Sequence, residues 1–149
     1  MQRIACLTLS ALLVTAAAGT ATGAQAKGSK WMAGPPGLPA GATFMVVSGN
    51  PGKAGPFVIR AKLPANYTVP PHNHPTDEVV RVLSAGSLTY GMGDKIDKAS
   101  SGTLSKGYHV TMQAGMNHWV TSTDPLEIQV SGEGPFAITY VNKADDPRH

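Results

Sequence analysis

The sequence contains very little cysteine and little charge. Its single cysteine, Cys6, lies in an N-terminal stretch that we expect to be removed from the mature chain. A mature chain without cysteine excludes disulfides, thiol nucleophiles, C-x-x-C redox motifs and zinc–thiolate sites. Charged residues make up only 14% of the sequence and no cluster of Lys and Arg occurs. We therefore expect neither a coiled coil nor a nucleic-acid partner.

Long hydrophobic runs are absent after the first 26 residues. Arg3 precedes an apolar, uncharged stretch over residues 4–18, and Ala24 and Ala26 occupy the two positions that a signal peptidase reads. The apolar stretch is shorter than the ~20 residues of a membrane-spanning helix, which favours a signal peptide over residues 1–26 rather than a membrane anchor. We expect cleavage after Ala26, a periplasmic or secreted protein, and no membrane association after cleavage.

Sustained helical periodicity is also missing, whereas 17 Gly and 12 Pro punctuate the 149 residues. Short runs of β-branched, apolar and aromatic residues alternate with Gly, Pro, Asn, Asp or Ser, a pattern that is typical of short strands joined by turns. The sequence therefore predicts an all-β sandwich or barrel with little helix. The predicted strands are residues 43–48, 57–63, 67–72, 78–83, 87–91, 108–112, 118–122, 126–130 and 136–141.

The length fits one domain. We expect an extended N-terminal segment at residues 27–42, which is rich in Gly and Pro, followed by the folded domain at residues 43–141 and a C-terminal tail at residues 142–149. Trp31 and Met32 could attach the N-terminal segment to the domain. Because this apolar segment has no partner that we can assign within so small a domain, we also expect a homodimer.

The residues that carry chemistry begin at His72-Asn73-His74. In an extended chain these two histidines point to the same face, so two imidazoles can converge on one metal ion. Glu78 opens the next predicted strand after a short turn and can bring a carboxylate to the same point. Two imidazoles and a carboxylate suit one divalent first-row transition metal, namely Fe, Mn, Zn, Ni or Cu. On its own this pattern also fits two surface histidines beside a turn.

A second segment favours the metal site over two surface histidines. In this segment a predicted strand and a turn at Gly115 are followed by a further predicted strand that opens with His118. With both segments together, the chain resembles a small, single-domain secreted member of the cupin superfamily. His72, His74 and Glu78 match the ligand positions of the first cupin motif, and His118 matches the ligand position of the second. The resemblance covers about residues 57–141. It implies a three-His, one-Glu metal site inside a cupin-type antiparallel β-barrel, also described as a double-stranded β-helix or jelly roll.

The sequence departs from the cupin motifs at turn positions only. Gln113 replaces the proline of the second motif, and Ser122 replaces its closing asparagine. In the first motif Ala85 stands where a glycine is expected, with Gly86 one residue later, and Asn66-Tyr67 stands at the place of the opening glycine. These changes affect turn geometry and remove no ligand.

The resemblance implies a metal-binding protein that acts on or binds a small, oxygen-bearing organic molecule. Four protein ligands leave two positions open on a six-coordinate ion, which would suit dioxygenase-type, isomerase or decarboxylase chemistry. The alternative is a non-catalytic periplasmic module that binds a small ligand or a metal. No catalytic base is evident beside the motif. We expect His109 to lie at the surface. Asp77 or Arg81 could contact and orient Glu78 without binding the metal.

Overall fold

The computed structural model describes residues 30–149. The predicted signal peptide, residues 1–26, lies outside the described residues. Across residues 30–149, eleven strands form two antiparallel sheets. Helix is confined to two single 3-10 turns, Lys98–Ser100 and Lys143–Asp145, which confirms the prediction of an all-β fold for the described part of the chain. Within residues 30–149, no helix is long and apolar enough to cross a bilayer.

The first sheet has six strands and the second has five. In spatial order the first contains β1 (Met32–Ala33), β2 (Thr43–Ser48), β3 (Gly55–Leu63), β10 (Leu126–Gly134), β5 (Glu78–Val82) and β8 (His109–Met112). In spatial order the second contains β11 (Thr139–Tyr140), β4 (Tyr67–Asn73), β9 (His118–Ser122), β6 (Ser87–Met92) and β7 (Gly102–Ser105).

The core lies between the two sheets, and strand alternation decides which side chains enter it. On β3, Ile59, Ala61 and Leu63 are buried, while Arg60 and Lys62 between them are more exposed. This is the period-two pattern of a strand with one wet face. The second sheet adds Tyr67, Val69, Leu88 and Leu104, among others, to the same cluster.

The N-terminal segment is more ordered than the sequence predicted. Met32 and Ala33 pair with Phe44 and Thr43 of β2, and Lys62 Nζ lies 4.2 Å from the centre of the Trp31 ring. These contacts give the segment partners within its own chain. The argument for a homodimer is therefore weaker, and the homodimer stays an untested prediction.

Two strand predictions need correction. The strand predicted at residues 136–141 is limited to Thr139–Tyr140, because side chains from elsewhere use the backbone before it: the Ala137 carbonyl accepts from His74 and the Ile138 carbonyl accepts from Arg148. The strand Gly102–Ser105 was not predicted at all, since Leu104 is its only large apolar residue. It forms by pairing with β6, which places Leu104 opposite Leu88.

Candidate metal centre

Three strands bring the predicted ligands to one point. His72 lies near the end of β4, Glu78 opens β5, and His118 opens β9. His72 and His118 are direct partners across the β4–β9 pairing, although the register of that pairing shifts between Val69 and His72. The intervening residues are Pro70 and Pro71, and prolines cannot donate hydrogen bonds to a neighbouring strand. The shift therefore follows from the sequence and places His72 beside His118.

The three histidines form a compact, buried triad. Their ring centres lie 5.0 Å apart for His72 and His74, 4.3 Å for His72 and His118, and 5.2 Å for His74 and His118. One nitrogen from each ring lies within 4.8 Å of the other two. The exposed fractions are 3%, 5% and 1% for His72, His74 and His118, which removes the reading of two surface histidines beside a turn.

Backbone carbonyls fix the orientation of all three rings. His72 Nδ1 lies 2.6 Å from the Pro70 carbonyl oxygen, His74 Nδ1 lies 2.7 Å from that of Ala137, and His118 Nδ1 lies 3.0 Å from that of Met116. A carbonyl can only accept, so each Nδ1 carries the proton and donates it. Each neutral imidazole then directs the lone pair of Nε2 away from its carbonyl, the arrangement that metal-binding histidines adopt.

Glu78 completes the cluster with a carboxylate. Its Oε2 atom lies 3.2 Å from His74 Nε2 and 3.7 Å from His118 Nε2. His74 Nε2 is buried and makes no hydrogen bond. Nitrogen lone pairs and a carboxylate that face each other repel unless a proton or a metal ion lies between them. The donor set of His72, His74, His118 and Glu78 therefore fits a borderline divalent metal ion.

The electrostatics of the cluster favour the protonation state that a metal requires at His72 and Glu78, but not at His74. Burial, reinforced by the neighbouring His118, lowers the pKa of His72 to about 3 and keeps this imidazole neutral. Burial alone would raise the pKa of Glu78, but His118 and His74 outweigh it and lower this pKa below its ordinary value. Burial alone would lower the pKa of His74, but Glu78 and the Ala137 carbonyl raise it. The cluster thus holds one carboxylate anion beside imidazoles, one of which resists protonation.

A hydrogen-bonded chain of polar side chains links the two motif segments, and sequence reasoning missed it. Asn73 Nδ2 donates to Asn117 Oδ1 at 2.7 Å, and Asn117 Nδ2 donates to Asp94 Oδ1 at 2.6 Å. Asn73 lies between two triad histidines and Asn117 precedes the third. The only sequence signal for these hydrogen bonds is that a polar residue stands next to each predicted ligand. That signal does not show which residue each polar side chain bonds to.

Asp77, Arg81 and His109 lie outside the cluster of four proposed ligands. The Asp77 carboxylate accepts from the Ala114 backbone N–H at 2.8 Å and so joins the turn before β9 to the turn before β5. Arg81 donates to the Gly107 carbonyl at 2.7 Å and lies 3.3 Å from His109 Nδ1. His109 is exposed. Asp77 thus supports the loops around the triad, whereas Arg81 and His109 form a separate surface pair.

A cavity of about 70 Å³ adjoins the triad and extends into the space between the sheets. His72, His74, His118 and Glu78 form its polar end. The rest of its wall comes mainly from aliphatic and aromatic side chains of the core. The geometry thus combines a cluster that could hold a metal with a partly enclosed space beside it.

Comparisons with known proteins support the fold. No family model matches the chain, and no curated protein matches it. Several solved structures do match. The polyketide cyclase RemF from Streptomyces resistomycificus is 18% identical, with 72% of this chain and 75% of RemF covered and a TM-score of 0.58.

Two further structures give the same result. The DMSP lyase DddQ from Ruegeria pomeroyi DSS-3 is 21% identical, with 76% of this chain and 61% of DddQ covered and a TM-score of 0.59. An RmlC-like cupin from Shewanella frigidimarina NCIMB 400 is 10% identical, with 70% of this chain and 83% of that chain covered and a TM-score of 0.56. At these identities the likeness shows the fold alone, and it confirms the architecture that the motifs implied.

Proposed function

We propose that this chain, which has the cupin fold, binds one divalent first-row transition metal through His72, His74, Glu78 and His118. The proposal extends to a small, oxygen-bearing organic molecule that is bound, and converted, at the positions that these four ligands leave open. The protein would then be a metal-dependent enzyme whose reaction is of the dioxygenase, isomerase or decarboxylase type.

The observation that carries this proposal is the shared orientation of the three imidazoles. Every Nδ1 is committed to a backbone carbonyl, so every Nε2 points away from its carbonyl, and those of His74 and His118 face the Glu78 carboxylate. A purely structural cluster of polar side chains would be expected to satisfy these nitrogens by hydrogen bonds within the protein. His74 Nε2 instead makes none, although it is buried.

A bound metal would supply Lewis-acid polarisation of a substrate oxygen and, if redox-active, a site for O₂. The chain itself would contribute three functions. The three carbonyl acceptors orient the imidazoles, Glu78 offsets part of the positive charge, and the apolar cavity wall keeps water away from the bound molecule. Fixed orientation and a dry cavity are the ordinary contributions of a protein to such chemistry.

A second candidate is a non-catalytic module that binds a metal or a small ligand. One observation favours it: of the described residues that line the cavity, Glu78 is the only carboxylate and none is a lysine. If Glu78 is a ligand, no separate general base remains. The metal present in protein purified without added metal distinguishes the two candidates. Fe, Mn, Ni or Cu would favour the enzyme, and stoichiometric Zn would favour the module.

The site assignment is tested by metal content per chain, measured by mass spectrometry. His118→Ala removes one proposed ligand and leaves the His72–His74 strand intact, so we expect it to lose most of its metal. His109→Ala is the matched control, since this histidine is exposed and lies outside the cluster. A full equivalent of metal in His118→Ala, or a loss of metal in His109→Ala, would show that the assignment is wrong.

The cellular location of the protein is also part of this proposal. We infer cleavage after Ala26 and a periplasmic or secreted mature protein, on the composition of residues 1–26 alone. Intact-mass measurement of the exported protein should give a chain that begins at Lys27. A mature chain that keeps Arg3 would contradict this location.

A further inference from the structure

The cavity beside the triad has an unusual division of polarity. At one end it contains the three imidazoles and the carboxylate of Glu78. Of the described residues that line the remainder, none is a lysine or an arginine, and most are aliphatic. The apolar lining residues include Leu38, Leu63, Val80, Leu88, Ile128 and Phe136.

The two remaining polar lining residues offer little to a second charged group. They are Thr43 and Tyr67. The Tyr67 hydroxyl already donates to the Pro39 carbonyl at 2.6 Å. A carboxylate or ammonium group deep in this cavity would therefore lose its hydration without gaining a charged partner, which is strongly unfavourable.

From this lining we propose a ligand class for the site: a molecule with one oxygen-bearing, metal-chelating end and a short, uncharged hydrocarbon body. This inference rests on the proposed function, because it assigns the chelating end to the metal. The hydrocarbon body would occupy the apolar end of the cavity. Molecules with a second charged group, such as dicarboxylates, would be excluded.

The size of the cavity limits the length of the body. The volume of about 70 Å³ is roughly half that of a protein cavity that accommodates benzene, and the chelating end shares it, so the body comprises at most about three carbons. A ligand with a longer body would fit only if a side chain that lines the cavity moved aside. Leu38 is the most suitable point, because it belongs to the N-terminal segment, lines the cavity and is only partly buried.

The test uses the mature protein loaded with Co²⁺, whose visible absorption reports a change of ligands. The probes are straight-chain alkylhydroxamic acids of increasing length, and chains of equal length that end in a carboxylate. We expect each added methylene to lower the dissociation constant about fourfold until about three are accommodated. The carboxylate-ended probes should bind at least about tenfold more weakly than their alkyl counterparts.

A pair of leucine variants tests whether this cavity sets the length limit. Leu38→Ala should shift the tightest-binding probe to a longer chain, because it enlarges the cavity. Leu104→Ala is the matched control: Leu104 belongs to the buried core but does not line the cavity, so the preferred length should not change.

The outcomes separate the ligand class from the proposed function. If the short acetohydroxamic acid changes the Co²⁺ spectrum but longer chains bind no tighter, or carboxylate-ended chains bind equally well, the ligand class is wrong and the metal site stands. If Co²⁺ does not bind at one equivalent, or acetohydroxamic acid leaves its spectrum unchanged, the proposed function fails and the ligand class fails with it.

Discussion

Each histidine of the triad is oriented by a backbone carbonyl, but the sequence separation between histidine and carbonyl differs among the three. Those of Pro70 and Met116 are two residues before His72 and His118, so local geometry suffices. That of Ala137 is 63 residues from His74. The orientation of His74 therefore depends on the packing of the segment before β11, and changes in that segment should act on the proposed metal site.

The hydrogen bonds that join the side chains of Asn73, Asn117 and Asp94 also position the histidines, and they lead to our first prediction. Asn117→Ala removes both side-chain hydrogen bonds of Asn117, and with them the side-chain link between the turn before His118 and the strand that contains His72. The backbone link from the Gly115 N–H to the His74 carbonyl remains. We expect metal affinity to fall about tenfold, in line with other supporting residues around metal ligands. Competition titration with a chelator measures the affinity.

Asn142→Ala is the control for this prediction. Asn142 is an exposed asparagine whose side chain accepts only from the nearby Ala144 backbone N–H. It should leave metal affinity unchanged. Equal affinities for Asn117→Ala and the wild type would show that the polar chain does not position the triad.

At the residue scale, the sequence predicted the four converging side chains and little of their surroundings. The spacing of His72 and His74 and their distance from Glu78 follow from strand alternation and a short turn. The pairing of Asn73 with Asn117, and the contact of His74 with Ala137, join residues that are far apart in sequence. Such contacts depend on the three-dimensional register, which a single sequence does not contain.

Among the larger elements, the N-terminal segment is held to the second sheet by two tyrosines. The Tyr67 hydroxyl of β4 donates to the Pro39 carbonyl, and the Tyr140 hydroxyl of β11 donates to the Gly37 carbonyl, each at 2.6 Å. Both tyrosines are buried. Burial raises the pKa of Tyr67 to about 12 and also raises the pKa of Tyr140. Attachment of the segment therefore requires both phenols to stay protonated.

This attachment predicts a loss of stability in alkali. The unfolded chain releases the Tyr67 proton near its ordinary pKa of about 10, whereas the folded chain retains it until about pH 12. Between these values the unfolded state binds fewer protons, so the free energy of unfolding decreases as pH rises. For Tyr67 alone the decrease should be roughly 2 kcal/mol. Urea denaturation at several pH values from 9 to about 12 measures it.

Tyr67→Phe separates this contribution from the titration of lysines in the same range. At neutral pH it should cost about 1 kcal/mol, because the Pro39 carbonyl loses its donor. Between pH 10 and about 12 its stability should decrease less steeply than that of the wild type. Parallel pH profiles for the two proteins would contradict the prediction.

The element scale also shows which strands the sequence could predict. Thr43–Ser48 and His118–Ser122 have the predicted bounds, because clear turn residues flank compact β-branched or aromatic runs. Strands β3 and β10 extend further than predicted, through a stretch where Gly132 and Gly134 pair with Phe57 and Gly55. Glycine carries no strand signal, so this extension depends on the partner strand.

For the whole molecule, the homodimer remains a prediction to be tested. Its original reason, an apolar N-terminal segment without a partner, is weakened by the pairing of Met32 with Phe44. Met32 nevertheless stays 45% exposed, so some apolar surface remains available to a second copy. We expect light scattering at micromolar concentration to give twice the chain mass. A monomer mass would contradict the dimer.

Metal binding and folding should be coupled, because the proposed ligands come from three strands and meet only in the folded protein. A metal at 100 times its dissociation constant should add about 2.7 kcal/mol to the free energy of unfolding, and raise the melting temperature by about 10 °C. His109→Ala should show the full increase over chelator-treated protein. His118→Ala should show almost none.

The size of this metal-dependent increase should depend on pH in a defined direction. An imidazole binds metal only when neutral, and Glu78 raises the pKa of His74, so protons compete for this ligand as pH falls and the increase should shrink. The metal-free protein should also lose stability on acidification through His72, whose pKa of about 3 in the folded state lies below its ordinary value. Between about pH 6.5 and pH 3 only the unfolded chain takes up this proton, which favours unfolding. Thermal melts with and without metal at pH 7.5, 6.5 and about 5.5 test both effects. A metal-dependent increase that is constant over this range would show that the ion is not held by imidazoles.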